Sequence, residues 1–253
     1  MHAADLSARP SGNDRPSRSR FTADAVLVGL ALALSAIATA DTLNPRWSWI
    51  EHMASHFVHG RAGWLIPCAA VGFALSTALL ILLVVRSGRA PGTSGVPAVA
   101  SATPARGGRL GLGLLGVWAA GMLIVGIFPA DPPGQWDRPP STAGLVHGLG
   151  GLTAFVALPV AAALLTRAWR RDVRWRPVAQ ALTVALVVAL ATFAVFVVTW
   201  VDVIGGPSLS VGAQHTVVGL TERVMMWAYC GWLAVVAVGL RRMPAAPRIG
   251  SGG

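Results

Sequence analysis

Ten ionisable side chains gather at the ends of apolar segments and in the short connections on one side of this chain: Glu51, His52, His56, His59, Asp131, His147, Asp202, His215, Glu222 and Arg223. Imidazoles beside carboxylates suit two kinds of chemistry. They ligate borderline metals, Zn²⁺ most often, and they exchange protons as general acids and bases. The clearest local pattern is the His stripe. On a helix turning about 100° per residue, residues 50–59 put Glu51, His52, Ser55, His56 and His59 on one side. Ile50, Met53, Ala54, Phe57 and Val58 fall on the other. This predicts a short amphipathic helix at the membrane surface. Its stripe reads either as a wet interfacial face or as a weak metal or proton site, because HxxxH spacing has low specificity and no HExxH is present. No other cofactor is indicated.

A second connection, FPADPPGQWDRPPSTAGLVHG, carries five prolines, Pro129, Pro132, Pro133, Pro139 and Pro140, and reads as a stiff, non-helical cover. Ser141 or Thr142 is placed to cap the helix that follows, and His147 lies about one turn inside it. In the third connection, Glu222 and Arg223 are neighbours at a helix start and so point different ways. Asp202, at the end of the preceding segment, is the expected partner of Arg223.

These residues are positioned by apolar segments. Of the 253 residues, 54% are hydrophobic and only 12% charged, about half the charge of an ordinary soluble domain. Apolar residues come in six blocks near 23–40, 64–85, 109–128, 143–166, 178–202 and 217–240, each close to the ~20 residues a membrane-spanning helix needs. The expected fold is therefore an all-α membrane protein with six transmembrane helices in one bundle. Residues 1–22 and 243–253 are expected to be disordered tails, and 86–108 a Gly/Pro/Ser/Ala linker. Ala38-Thr39-Ala40 resembles a signal-peptidase site, but with five further spans a retained first helix is expected.

All twenty cationic side chains are Arg, and sixteen lie in the two tails and the 86–109 and 167–177 connections. The positive-inside rule places these in the cytoplasm. An even number of spans requires the termini to share a side, which agrees. The expected location is the cell membrane, multi-pass, with both termini cytoplasmic. The net charge of +10 then marks topology and contact with anionic lipids at the cytoplasmic face, not nucleic-acid binding. The His-bearing connections face outward. Cys68 and Cys230 sit inside apolar blocks and read as small hydrophobes. Gly111-x-Gly113-x-x-Gly116 matches the dinucleotide fingerprint by letter, but it lies within a membrane-spanning segment and reads as close helix packing. Pro159 should bend its span, leaving a carbonyl for a neighbouring helix to satisfy.

Three stretches carry a family resemblance: WSWIEHMASHFVHGRAGW, IFPADPPGQWDRPPSTAGLVHGLGG and GLTERVMMWAYCGW. Together they resemble the DUF998 family of six-helix membrane proteins of bacteria and archaea, over about residues 25–240. The resemblance implies Ser55, Phe128, Pro129, Asp131, Pro132, Gly144, His147, Glu222 and Arg223 as hallmark positions, with no known roles. His52 and His59 fall outside that pattern.

Three readings follow. One is a non-enzymatic protein whose outer-face pocket binds a lipid head group or small ligand through Asp131, His147, Glu222 and Arg223. The alternative is a membrane-embedded lipid hydrolase, with Ser55 or a metal-bound water as nucleophile, His147 as base and Asp131 orienting it; a metal would draw on His52, His56 and His59. Transport is less favoured, since no acidic residue lies at mid-span.

Overall fold

A computed structural model describes residues 14–88, 106–134, 138–206 and 208–243. Six helices occupy the six apolar blocks: α1 (Asp14–Leu43), α2 (Leu65–Gly88), α3 (Arg106–Ile127), α4 (Thr142–Trp169), α5 (Ala179–Gly205) and α6 (Val218–Arg242). All six are long and apolar enough to cross a bilayer. Two short 3-10 turns join them, Ala54–His59 before α2 and Val173–Val178 before α5. No strand is present among the described residues.

Helix α1 starts at Asp14, inside the stretch expected to be a disordered tail. Pro16 does not prevent this, because it falls in the first turn, where a backbone N–H has no helical partner to lose. Residues 1–13, most of the 86–108 linker, Trp136 and Asp137, and the 244–253 tail lie outside the described residues.

The helices pack α1 on α2, α2 on α3, α3 on α4 and α5 on α6, with α6 closing the bundle against α1. Helix α6 is the centre: Met225, Tyr229, Trp232, Leu233, Val236 and Ala237 are inaccessible. Helix α5 is the periphery, and Val184, Val187, Val195 and Val198 face outward. Small residues set the closest approach. A Cβ on Gly121 would meet Gly150 O at 2.7 Å, so α3 and α4 come close backbone to backbone there, and one on Gly111 would meet the Leu165 side chain, at Cγ, at 2.7 Å. Of the glycines in the nucleotide-like motif, only Gly111 works this way; Gly113 and Gly116 face open space.

Three buried polar groups of the membrane-spanning helices are paired, as hydrocarbon surroundings require. Trp118 Nε1 donates to Thr77 Oγ1 and Trp232 Nε1 to Thr166 Oγ1, each at 3.1 Å. Pro159 sits in mid-α4, so the carbonyl of Phe155 has no helical donor. The Tyr229 hydroxyl donates to that carbonyl at 2.7 Å. At the termini end, Trp175 stacks on Trp169 at 4.1 Å, next to Trp232.

Candidate functional site

On the face opposite the termini, the first connection does not form the ten-residue α-helix that the His stripe suggested. Residues 48–52 turn, and only Ala54–His59 coil, as a 3-10 helix. The cause is anchoring from α6. Leu220 N donates to Ile50 O at 3.0 Å, Arg223 Nη1 to His52 O at 2.9 Å, and Glu222 Oε2 accepts from Ala54 N at 2.6 Å. Gly219 permits this, since a Cβ there would overlap the carbonyls of Trp49 and His52. In a 3-10 helix residues three apart eclipse. Ala54 and Phe57 therefore share the buried row, and His56 and His59 share another. The expected single stripe is broken. His52 stacks on Trp47, with ring centroids 5.8 Å apart, and its Nδ1 lies 3.1 Å from Ser48 O. Among the described residues, no three His, Cys, Asp or Glu side chains form a metal-ligand group.

Arg223 does not pair with Asp202. Its guanidinium forks onto Asp41, with Nε–Oδ2 at 2.8 Å and Nη2–Oδ1 at 2.6 Å, and its Nη1 also donates to Gly219 O at 3.0 Å. The Phe57 ring lies 5.2 Å from its central carbon. Asp202 instead caps its own turn, accepting from Ser208 and Leu209. The ion pair is nearly buried, with side-chain exposures of 8% for Arg223 and 14% for Asp41. Arg223 thus holds the first connection against α1 and α6, and it does not line the cavity beside it. Asn44, just past the end of α1, serves the same end: its Nδ2 donates to Arg61 O and its Oδ1 accepts from Arg61 N.

The second connection is a cover pinned by two imidazoles. His59 Nε2 lies 2.7 Å from Ala130 O and His147 Nδ1 2.8 Å from Phe128 O. A carbonyl only accepts, so each of these nitrogens carries the proton. The Nε2 of His147 is then the acceptor nitrogen. Ser141 caps α4, its Oγ accepting from Gly144 N at 3.0 Å. Asp131 Oδ2 accepts from Ser141 N at 3.0 Å. The carboxylate thus lies at the positive end of the α4 dipole, over Gly144, where any Cβ would overlap it.

These pieces surround one cavity of about 550 Å³, within the usual range for small-molecule sites. Its mouth holds Ser55, His56, Asp131, Arg138, His147 and Glu222. Its floor is apolar: Phe73, Met122, Phe155, Phe196 and Met226. Every lining residue of α4 lies between Gly144 and Phe155, on the mouth side of Pro159, whereas Leu158, Ala161, Ala162 and Leu165 beyond are tightly packed. The structure therefore brings Ser55, Asp131, His147 and Glu222 to one site and leaves Arg223 behind it. Burial above all, with the neighbouring imidazoles and Arg223 disfavouring a further positive charge, pushes the His56 imidazole from 6.5 down to about 4, so it is a neutral hydrogen-bonding group at neutral pH.

The family model for the protein of unknown function DUF998 matches residues 27–239. The chain belongs to the DUF998 family. No curated protein and no solved structure matches it. In this DUF998 protein the positions that the resemblance implied now have places. Phe128, Pro129, Asp131, Pro132, Gly144 and His147 belong to the cover and its attachment to α4, while Glu222 and Arg223 clamp the connection that carries Ser55. Asp41, Asn44 and Arg138 were missed by sequence reasoning. Asp41 did carry a signal: an acid at a membrane border requires a cation.

Proposed function

We propose that this DUF998 protein binds a membrane amphiphile, with the polar head at the mouth of the cavity and hydrocarbon on its floor. The observation that carries this reading is the division of one cavity into a polar mouth and an apolar floor. Arg138 is the guanidinium at the mouth and meets an anionic or zwitterionic head. Ser55, His56 and the acceptor Nε2 of His147 orient its hydroxyl or phosphate oxygens. Asp131 and Glu222 are occupied in holding the cover and the first connection, so they shape the mouth. Each methylene buried on the floor is worth about 0.8 kcal/mol relative to water, which gives the chain, not the head, most of the affinity.

The hydrolase reading needs the Asp131 carboxylate on Nδ1 of His147. The Phe128 carbonyl occupies that position, so binding is the function the geometry favours. The Arg-rich face, carrying both termini, is assigned to the cytoplasm of the plasma membrane, where it contacts anionic lipids. The cavity then lies in the outer half of the bundle, with its polar end toward the outside.

Native mass spectrometry tests the reading. Gly151 lines the cavity, and a Cβ there meets only Val125 Cγ2 at 3.6 Å. The Cβ of Gly151→Phe therefore fits without a clash, and its ring takes up space beside the cavity. Wild type should retain a lipid through mild detergent and Gly151→Phe should lose it. Equal retention would overturn the proposal.

A further inference from the structure

The cavity is walled unevenly. Toward water it lies under the cover: Pro132, Pro133, Arg138 and Pro140 line it, and His59 and His147 hold that loop by its carbonyls. Helices α3 and α4 are sealed by the Gly121–Gly150 approach. Helices α5 and α6 are joined by Thr199 and Thr221, whose hydroxyls are 2.7 Å apart. The seam between α4 and α5 differs. At the floor, Phe155 meets Phe196 edge to face at 5.5 Å. Above that ring pair, no hydrogen bond among the described residues joins the two helices. Gly148 and Leu152 on α4 and Trp200 and Ile204 on α5 line the cavity there. Leu152 is 42% and Ile204 58% exposed, and a Cβ on Gly148 would meet nothing within 4 Å.

We propose that this seam is a lateral doorway through which one hydrocarbon chain of a phospholipid enters the cavity directly from the surrounding leaflet. The inference rests on the amphiphile-binding reading and specifies its ligand as a membrane-resident lipid, not a water-soluble molecule. Three features support it. The doorway is lined by apolar side chains and a glycine, which suit a chain and not a head group. The cover on the water side is stiffened by proline and fixed by two imidazoles. The depth matches: Phe155 is the fourteenth residue of α4, roughly 20 Å along the helix at 1.5 Å per residue, within a hydrocarbon core of about 30 Å. A chain passing sideways at this depth never crosses water, while its head stays level with Arg138 and Ser55.

The test is photolabelling of the full chain in phosphatidylglycerol nanodiscs doped with phosphatidylglycerol bearing a mid-chain diazirine, with mapping by mass spectrometry. In wild type, the floor peptides holding Phe155, Phe196 and Met226 should be labelled as strongly as lipid-facing Val187. Gly148→Trp, which plugs the doorway, should cut floor labelling at least fivefold and leave Val187 unchanged. Ile204→Trp plugs it from α5 and should do the same if Gly148→Trp does not fold. Undiminished floor labelling in a folded plugged variant would overturn the doorway while leaving the cavity occupied. An unlabelled floor in wild type, with Val187 labelled, would overturn the amphiphile-binding reading as well.

Discussion

Removing Arg223 should damage the fold, not the ligand chemistry, and the pair it forms with Asp41 makes the difference measurable. Arg223→Met leaves the Asp41 carboxylate, 14% exposed, without its two guanidinium hydrogen bonds, and leaves His52 O without its donor. Breaking a buried pair by deleting one partner costs about 3–5 kcal/mol, whereas replacing both partners by apolar residues is close to neutral. Arg223→Met alone should therefore lower the unfolding midpoint by on the order of 10 °C for a chain of this size. Adding Asp41→Leu should restore most of that loss. The ten tryptophans give a fluorescence readout of unfolding in detergent. The same double variant should retain its co-purified lipid, because Arg223 lies behind the cavity. If Asp41→Leu gives no rescue, the ion pair does not carry the stability assigned to it. If the rescued variant loses its lipid, Arg223 is a binding residue after all.

Three further outcomes are expected. Tyr229→Phe strands the Phe155 carbonyl that Pro159 leaves without a donor and should cost roughly 1 kcal/mol in thermal unfolding; Pro159→Ala restores a backbone N–H at that position and should rescue Tyr229→Phe. Gly144→Ala drives a methyl group into the Asp131 carboxylate and should cost about 1–3 kcal/mol, part of it recovered by Asp131→Ala in the same unfolding assay. His56 is held neutral down to about pH 4, while in the unfolded chain it protonates near 6.5. Its contribution is therefore complete above pH 6.5 and is lost as pH falls from 6.5 to 4, by roughly 3 kcal/mol in all. His56→Gln should flatten stability against pH across that window.

The six helices were legible because a spanning helix must be apolar for about 20 residues whatever it packs against. The Ser141 cap was legible for a similar reason, since it is a local demand of a helix start; the bond from His147 to the Phe128 carbonyl, made across 19 residues, was not. The partner of Arg223 was not. Asp202 and Asp41 both sit at membrane borders on the same face, and nearness in sequence favours Asp202. Only the packing of α1 against α6 decides for Asp41. The ten-residue amphipathic helix failed on the same ground: its periodicity is present, but hydrogen bonds from Leu220, Glu222 and Arg223 tighten the segment into a 3-10 turn. The cavity itself has no sequence signature. It arises where Phe155 meets Phe196 beneath a proline-stiffened cover, and which faces of α4 and α5 meet is set by tertiary packing, not by local pattern.

The most direct measurement is a cryo-electron-microscopy map of the protein in nanodiscs of one defined phospholipid. The expected result is continuous elongated density running from the Ser55–Arg138 mouth to the Phe155–Phe196 floor, emerging between Gly148 and Ile204. A cavity that is collapsed, or empty of such density at a resolution where the surrounding side chains are clear, would contradict the assignment of this protein as a lipid binder.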